Sequence, residues 1–244
     1  MRMSVILAEY VIIMKTTSGA AEKLFLHRTR VWIISEAEVS HSQNFRFWRY
    51  LTEWAERVAE KWRRFWLEDA CKAMNRAVCS YSEENKIRSM GTTAAMLVFT
   101  GDGAYGCNLG DSRIYETGSG QFCKVSKDHV LGGSLFGKSP LLQYVGIPES
   151  SMALEPSMAK LSPEPGKRYL LCSDGLTDML SDGEIADILT REITVQETVE
   201  VLLERTLKKG GRDNATIILC EVREKEKNWL QKLIDKLYKR YEGE

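Results

Sequence analysis

The stretch Tyr169-Leu170-Leu171-Cys172-Ser173-Asp174-Gly175 constrains the fold more than any other part of the chain. An apolar run of strand length ends abruptly in Ser-Asp-Gly, which holds a carboxylate at the mouth of a buried strand, beside a glycine that permits a tight turn. Ser181-Asp182-Gly183-Glu184 follows as a capping-box pattern, Ser and then Glu three residues on, and opens a short helix containing Ile185, Ile188 and Leu189. The order is therefore strand, acidic turn, helix. Taken by itself, Asp174 reads as an ordinary turn former, because Asp before Gly commonly shapes a turn. Other carboxylates along the chain alter that reading.

A chain of 244 residues can bury a sizeable core as one large domain, or as a domain with an appendage. Lys plus Arg and Asp plus Glu balance at 34 each, so no overall field favours nucleic acid or an acidic membrane. Cys71, Cys79, Cys107, Cys123, Cys172 and Cys220 are scattered, with no C-x-x-C pair. They read as buried thiols in a reducing, cytoplasmic compartment and not as a disulfide frame or a zinc site. His27, His41 and His129 lie far apart, which argues against a histidine metal site. The apolar run Val5 to Met14 is interrupted by Glu9 and Tyr10, is too short to span a bilayer and lacks a cleavage site, so neither a span nor a secretory signal is expected.

Residues 4–14 and Val31-Trp32-Ile33-Ile34 read as strands joined by a polar loop. Phe47, Leu51, Trp54, Val58, Trp62 and Phe65 then recur at helical steps, an aromatic stripe that reads as core and not as a ligand box. A second helical stretch runs from Ala70 through Met74 and Val78 to Tyr81. From Met90 the period changes: Thr92–Thr100 and Ala104–Leu109 pair across Gly101-Asp102-Gly103, and Arg113–Tyr115 pairs with Phe122–Val125, which together predict an antiparallel meander. Asp128 to Pro165 is rich in Gly and Pro and predicts an irregular flap over one end of the sheets. Val195–Leu207 predicts a helix, and Ala215–Val222 a final buried strand entered through the turn Gly210-Gly211-Arg212-Asp213-Asn214. The tail, residues 223–244, is a basic amphipathic helix pattern, expected to dock on its own domain, with contact to a membrane surface or a partner as the alternative.

Asn108-Leu109-Gly110-Asp111-Ser112-Arg113 adds a third carboxylate in a tight turn between strands. Asp111, Asp174 and Asp213 together form an all-oxygen set of the kind that Mg2+ or Mn2+ requires. With these residues the chain resembles the metal-dependent (PPM-type, type 2C) Ser/Thr protein phosphatases, in a bacterial style. The resemblance rests on Met90-Gly91-Thr92-Thr93-Ala94, Asn108 to Arg113, Asp128-His129, Leu141-Leu142-Gln143-Tyr144-Val145-Gly146, Leu171 to Asp178 and Gly211-Arg212-Asp213-Asn214-Ala215-Thr216, in that order over residues 90–222.

That resemblance implies an α+β fold, a four-layer α-β-β-α sandwich of two antiparallel sheets flanked by helices, over residues 1–222, with 223–244 as a separate helix. It implies two Mn2+ or Mg2+ ions, with a third more weakly held, sharing a water that attacks the phosphoryl group in line. By motif position Asp174 and Asp213 would ligate one ion, and Asp111 with Asp174 the weaker additional one. It also implies a phosphoprotein substrate or a cognate Ser/Thr kinase as partner, and a monomer is expected.

The chain departs from the family at its front. Members carry an Asn-Glu-Asp strand and an Asp-Gly-Met-Gly-Gly turn before the long helix, and neither is present. Asp69 is the sole aspartate of the first hundred residues and falls in a helical region. Ser35-Glu36-Ala37-Glu38 stands where the Asp-Gly turn should follow Val31–Ile34, so Glu36, one methylene longer than Asp, is the candidate substitute ligand. In members of the family the aspartates of these motifs are metal ligands, one of them bridging both ions, so loss of that bridging carboxylate predicts weak or absent hydrolysis. A catalytically impaired phosphatase that binds phosphoproteins or kinases is the alternative to an active enzyme.

Overall fold

A computed structural model of the chain describes residues 9–16, 31–34, 66–87, 90–100, 103–132 and 139–223. The aromatic stripe of residues 47–65, Glu36 and the tail from 224 onward lie outside the described residues. Strands β1 (Glu9–Thr16) and β2 (Val31–Ile34) are followed by helix α1 (Trp66–Glu84). Next come β3 (Ala94–Thr100), β4 (Gly103–Leu109), β5 (Arg113–Gly118), β6 (Gln121–Lys124), β7 (Ser157–Leu161) and β8 (Arg168–Cys172). The chain continues through α2 (Asp174–Thr177), α3 (Asp182–Leu189), α4 (Val195–Lys208) and β9 (Thr216–Arg223).

The strands form two antiparallel sheets, one of five strands ordered β1-β9-β8-β5-β6 and one of four ordered β2-β3-β4-β7. Because side chains alternate along a strand, each central strand feeds two cores at once, which is why these strands read as unbroken apolar runs. In β8, Tyr169 and Leu171 face the other sheet, where they meet Ala95, Leu97, Phe99 and Ala104 with Ile114 of the neighbouring β5 beside them, while Leu170 and Cys172 face the helices. Phe99 and Tyr169 meet edge to face across the sandwich, with ring centroids 5.8 Å apart. On the outer side of the five-stranded sheet, Ile185, Ile188 and Leu189 of α3 and Val199 and Leu202 of α4 cover Ile217 and Leu219. On the outer side of the four-stranded sheet, Cys71, Met74 and Val78 of α1 cover Ala94, Met96, Cys107 and Leu109. The result is the α-β-β-α sandwich that the family resemblance implied.

The capping box foreseen at Ser181 is formed: Glu184 N–H donates to the Ser181 hydroxyl, and the Glu184 carboxylate accepts from Ser181 N–H at 2.9 Å. Two expectations are corrected. The strands from Thr92 to Val125 do not make one meander, because β4 and β5 belong to different sheets. The chain switches sheets at Gly110, whose φ of +99° and 2.4 Å approach of a notional Cβ to Thr93 Cγ2 allow no side chain. The stretch from Asp128 to Pro165 is not wholly irregular, since it contains β7, paired with β4 at the sheet edge. An edge strand buries little, and of Ser157–Leu161 only Leu161 is buried, which leaves too weak a pattern to register against the surrounding Gly and Pro.

The inter-sheet layer is one of the apolar cores of this arrangement. Leu171 is fully buried within it. Leu171→Ala is expected to lower unfolding stability by about 2–5 kcal/mol, measured as a shift of the urea midpoint at unchanged slope.

Candidate metal centre

Strand register brings the three aspartate turns to one end of the five-stranded sheet. Arg113 at the start of β5 lies opposite Cys172 at the end of β8, and Cys172 lies opposite Ile217 near the start of β9. Asp111, two residues before Arg113, Asp174, two residues after Cys172, and Asp213, just before β9, therefore leave the sheet at the same edge. The four-stranded sheet contributes the same end: Ile34, the last residue of β2, pairs with Ala95, which pairs with Asn108 just before the Asp111 turn.

Asp174 opens the one-turn helix α2 where an acidic turn was expected, and it is only 9% exposed, with Oδ1 shielded from solvent. Ser173 occupies the cap position of α2, yet its hydroxyl makes no cap bond. It accepts instead from Thr216 N–H at 3.0 Å and donates to the Asn214 carbonyl at 3.3 Å, while Ser173 N–H donates to Thr216 O at 3.1 Å. Gly175 completes the contact: a Cβ there would stand 2.2 Å from the Asn214 carbonyl oxygen and 3.0 Å from Ala215 Cα. The Asp174 and Asp213 turns are thus docked backbone on backbone. Asp213 itself is exposed, and its Oδ1 accepts from Asn214 N–H at 2.8 Å, which stiffens its turn.

The Asp111 corner is gripped at three neighbouring points. His129 Nδ1 accepts from Gly110 N–H at 3.2 Å, and His129 N–H donates to Gly110 O at 2.9 Å. The Thr93 and Ser112 hydroxyls are hydrogen-bonded at 2.8 Å, and Arg113 is forked on Asp128. The motif Asp128-His129 was visible in the sequence, but its role as the clamp of Gly110 needed the fold. No sequence signal pointed to Asn75, whose amide donates to Ile147 O at 2.7 Å and accepts from the N–H groups of Gly146 and Ile147 across 71 and 72 residues. It ties the segment after Leu141 to helix α1.

Carboxylate oxygens on rigid turns suit a hard divalent cation in donor type. In donor number the described residues fall short: among them, no three His, Cys, Asp or Glu side chains come together as a metal-holding group. Asp111, Asp174 and Asp213 share an end of the sandwich without forming a closed cage, and Glu36 lies outside the described residues.

Burial, and then the charge of Lys127, lower the pKa of His129 from 6.5, consistent with a neutral ring accepting from Gly110. Just below that pH the unfolded chain binds the proton that the native ring refuses. The contribution is therefore complete above about pH 6.5 and is lost as pH falls through the lower native value. Acidification from about pH 7.5 to about pH 5.5 is expected to lower the melting temperature, and by less in His129→Gln than in the natural chain.

Comparison with known proteins gives one consistent result. Residues 39–213 match protein phosphatase 2C. The Ser/Thr phosphatase PstP of Mycobacterium tuberculosis is 31% identical over 167 residues, which is 64% of this chain but 32% of that protein's length. The protein phosphatase PhpP of Streptococcus pneumoniae is 28% identical over 177 residues, 67% of this chain and 71% of its own. The solved Ser/Thr phosphatase of S. agalactiae superposes with a TM-score of 0.72 at 22% identity, covering 88% of this chain and all of its own. The catalytic domain of PstP in complex with two manganese ions gives 0.66 at 23% identity over 88% of this chain and all of that one. With both sheets, both helical layers and the ordered motifs in place, the chain belongs to the protein phosphatase 2C family of PPM-type Ser/Thr phosphatases.

Proposed function

We propose that this chain is a phosphatase-like protein that receives phosphorylated Ser or Thr side chains of proteins at the acidic end of its sandwich, where Asp174 and Asp213 hold one Mn2+ or Mg2+ and Asp111 with Asp174 holds a weaker one. The observation that carries this reading is the convergence of the aspartate turns on one sheet edge, two of them docked together through Ser173 and Gly175. What a bound divalent cation supplies there is neutralisation of phosphoryl charge and a more acidic attacking water. The chain's own part is to fix the carboxylates beforehand, since a preorganised site need not rearrange as charge develops.

Hydrolysis in this reading is slow. Glu36, two residues beyond β2, is the remaining candidate for the missing bridging carboxylate, and without a short aspartate in that place the repulsion between two ions is poorly offset. A second reading, a module that binds phosphoproteins or a cognate kinase without turnover, is favoured by the absence of the Asn-Glu-Asp and Asp-Gly-Met-Gly-Gly motifs from the sequence. A cytoplasmic protein is part of the same proposal. Among the described residues no helix is long and apolar enough to cross a membrane.

The test is release of phosphate from a phosphothreonine peptide by the full chain in Mn2+. Slow, metal-dependent release is expected, falling in Asp174→Asn by more than about a hundredfold, beyond the about 10- to 100-fold loss typical of changes outside a ligand set. Peptide binding with no release in Mn2+ would establish the second reading in its place.

A further inference from the structure

Arg113 stands two residues from Asp111 and is held by two carboxylates, those of Asp128 and Asp182. Its Nε donates to Asp128 Oδ1 at 3.1 Å and Oδ2 at 2.9 Å, and its Nη2 meets Asp128 Oδ2 at 2.7 Å. Nη1 donates to Asp182 Oδ1 at 2.9 Å and to the Tyr115 hydroxyl at 3.1 Å, and that hydroxyl donates in turn to Asp182 Oδ1 at 2.8 Å. The pair is largely shielded, with Arg113 23% and Asp128 15% exposed, so the fork is screened far less than a surface ion pair. Lys124 adds a further contact to Asp128 Oδ2 at 3.4 Å.

Asp128 precedes His129, which holds Gly110 from the other side of the same corner. Gly110 is fixed by His129, Ser112 by Thr93 and Arg113 by Asp128, so the backbone on both sides of Asp111 is anchored to residues 93, 128 and 129. A planar guanidinium sets direction as well as distance, because its fork meets a carboxylate in one geometry, whereas an ammonium is a point charge on a flexible stem.

We propose that Arg113 is a positioning residue: its fork on Asp128 sets the direction of the Asp111 carboxylate and so the affinity of the acidic end for divalent cations. This rests on the reading of Asp111 as a cation ligand. Groups that orient ligands without touching the ion typically contribute about 10- to 100-fold to affinity. A pair serving only the fold would alter stability and leave affinity alone.

The experiment is Mn2+ titration of the full-length chain by calorimetry, with thermal unfolding in chelator as a separate measure of the fold. Arg113→Lys keeps the charge and removes the fork, and Asp128→Asn removes its acceptor. Each is expected to weaken the Mn2+ site containing Asp111 by about tenfold. In an Asp111→Asn background, Arg113→Lys is expected to cause no further loss, because the effect passes through Asp111. Unchanged affinity in Arg113→Lys and Asp128→Asn, or equal losses with and without Asp111, would overturn the proposal while leaving the cation site standing. Absence of Mn2+ binding by the natural chain would remove the cation site itself, and the positioning role with it. Should Arg113→Lys fail to fold, the same comparison is made with Asp128→Asn.

Discussion

The acidic end depends on a close backbone contact. Ser173, Asp174 and Gly175 lie on Asn214, Ala215 and Thr216 with no room for a side chain at Gly175. Ser173 gives up its place as a helix cap to hold this contact, donating to one carbonyl and accepting from one amide of the opposite turn. Two turns fixed in this way cannot move apart independently. The carboxylates that follow Ser173 and precede Asn214 inherit that rigidity, which a hard cation rewards through its preference for preplaced oxygen donors.

The same end is reached from the other sheet by different means. The chain crosses between sheets at Gly110, and the crossing is held from three directions: the His129 ring, the Thr93 hydroxyl and the Arg113 fork. Much of the sequence between Asp128 and Leu161 serves this purpose. Asp128 and His129 clamp the corner, Asn75 anchors Gly146 and Ile147 to α1, and β7 closes the edge of the four-stranded sheet. The fold thus supports the acidic end with contacts that are long in sequence and short in space.

Much of this was legible beforehand, for a physical reason. Strands buried between two layers must be apolar on both faces, so β3, β8 and β9 stood out as unbroken runs, and the Ser181 capping box marked the start of α3 from four residues alone. The three aspartates were legible because each interrupts such a run at its mouth. What the sequence did not reveal depends on partners far along the chain. Thr92 to Val125 looked like one meander because local pairing patterns carry no mark of a sheet change, and only the register shows β4 and β5 apart. β7 was missed because a short edge strand with one buried residue has little pattern to read. The clamp by Asn75 and the use of Ser173 in place of a cap arise from contacts 41 to 72 residues apart, which no local periodicity encodes.

The turns of Asp111, Asp174 and Asp213 are thus well supported by contacts from both sheets. The central claim is that Asp174 and Asp213, held together by the Ser173 and Gly175 contact, act on one ion. Mn2+ titration of the natural chain, Asp174→Asn, Asp213→Asn and the double variant tests it most directly. If the two residues share an ion, each single substitution removes most of the binding and the double is little worse than either, because neighbouring groups in one site are not additive. Additive losses, or binding that survives both substitutions, would contradict the claim and place the cation elsewhere on the molecule.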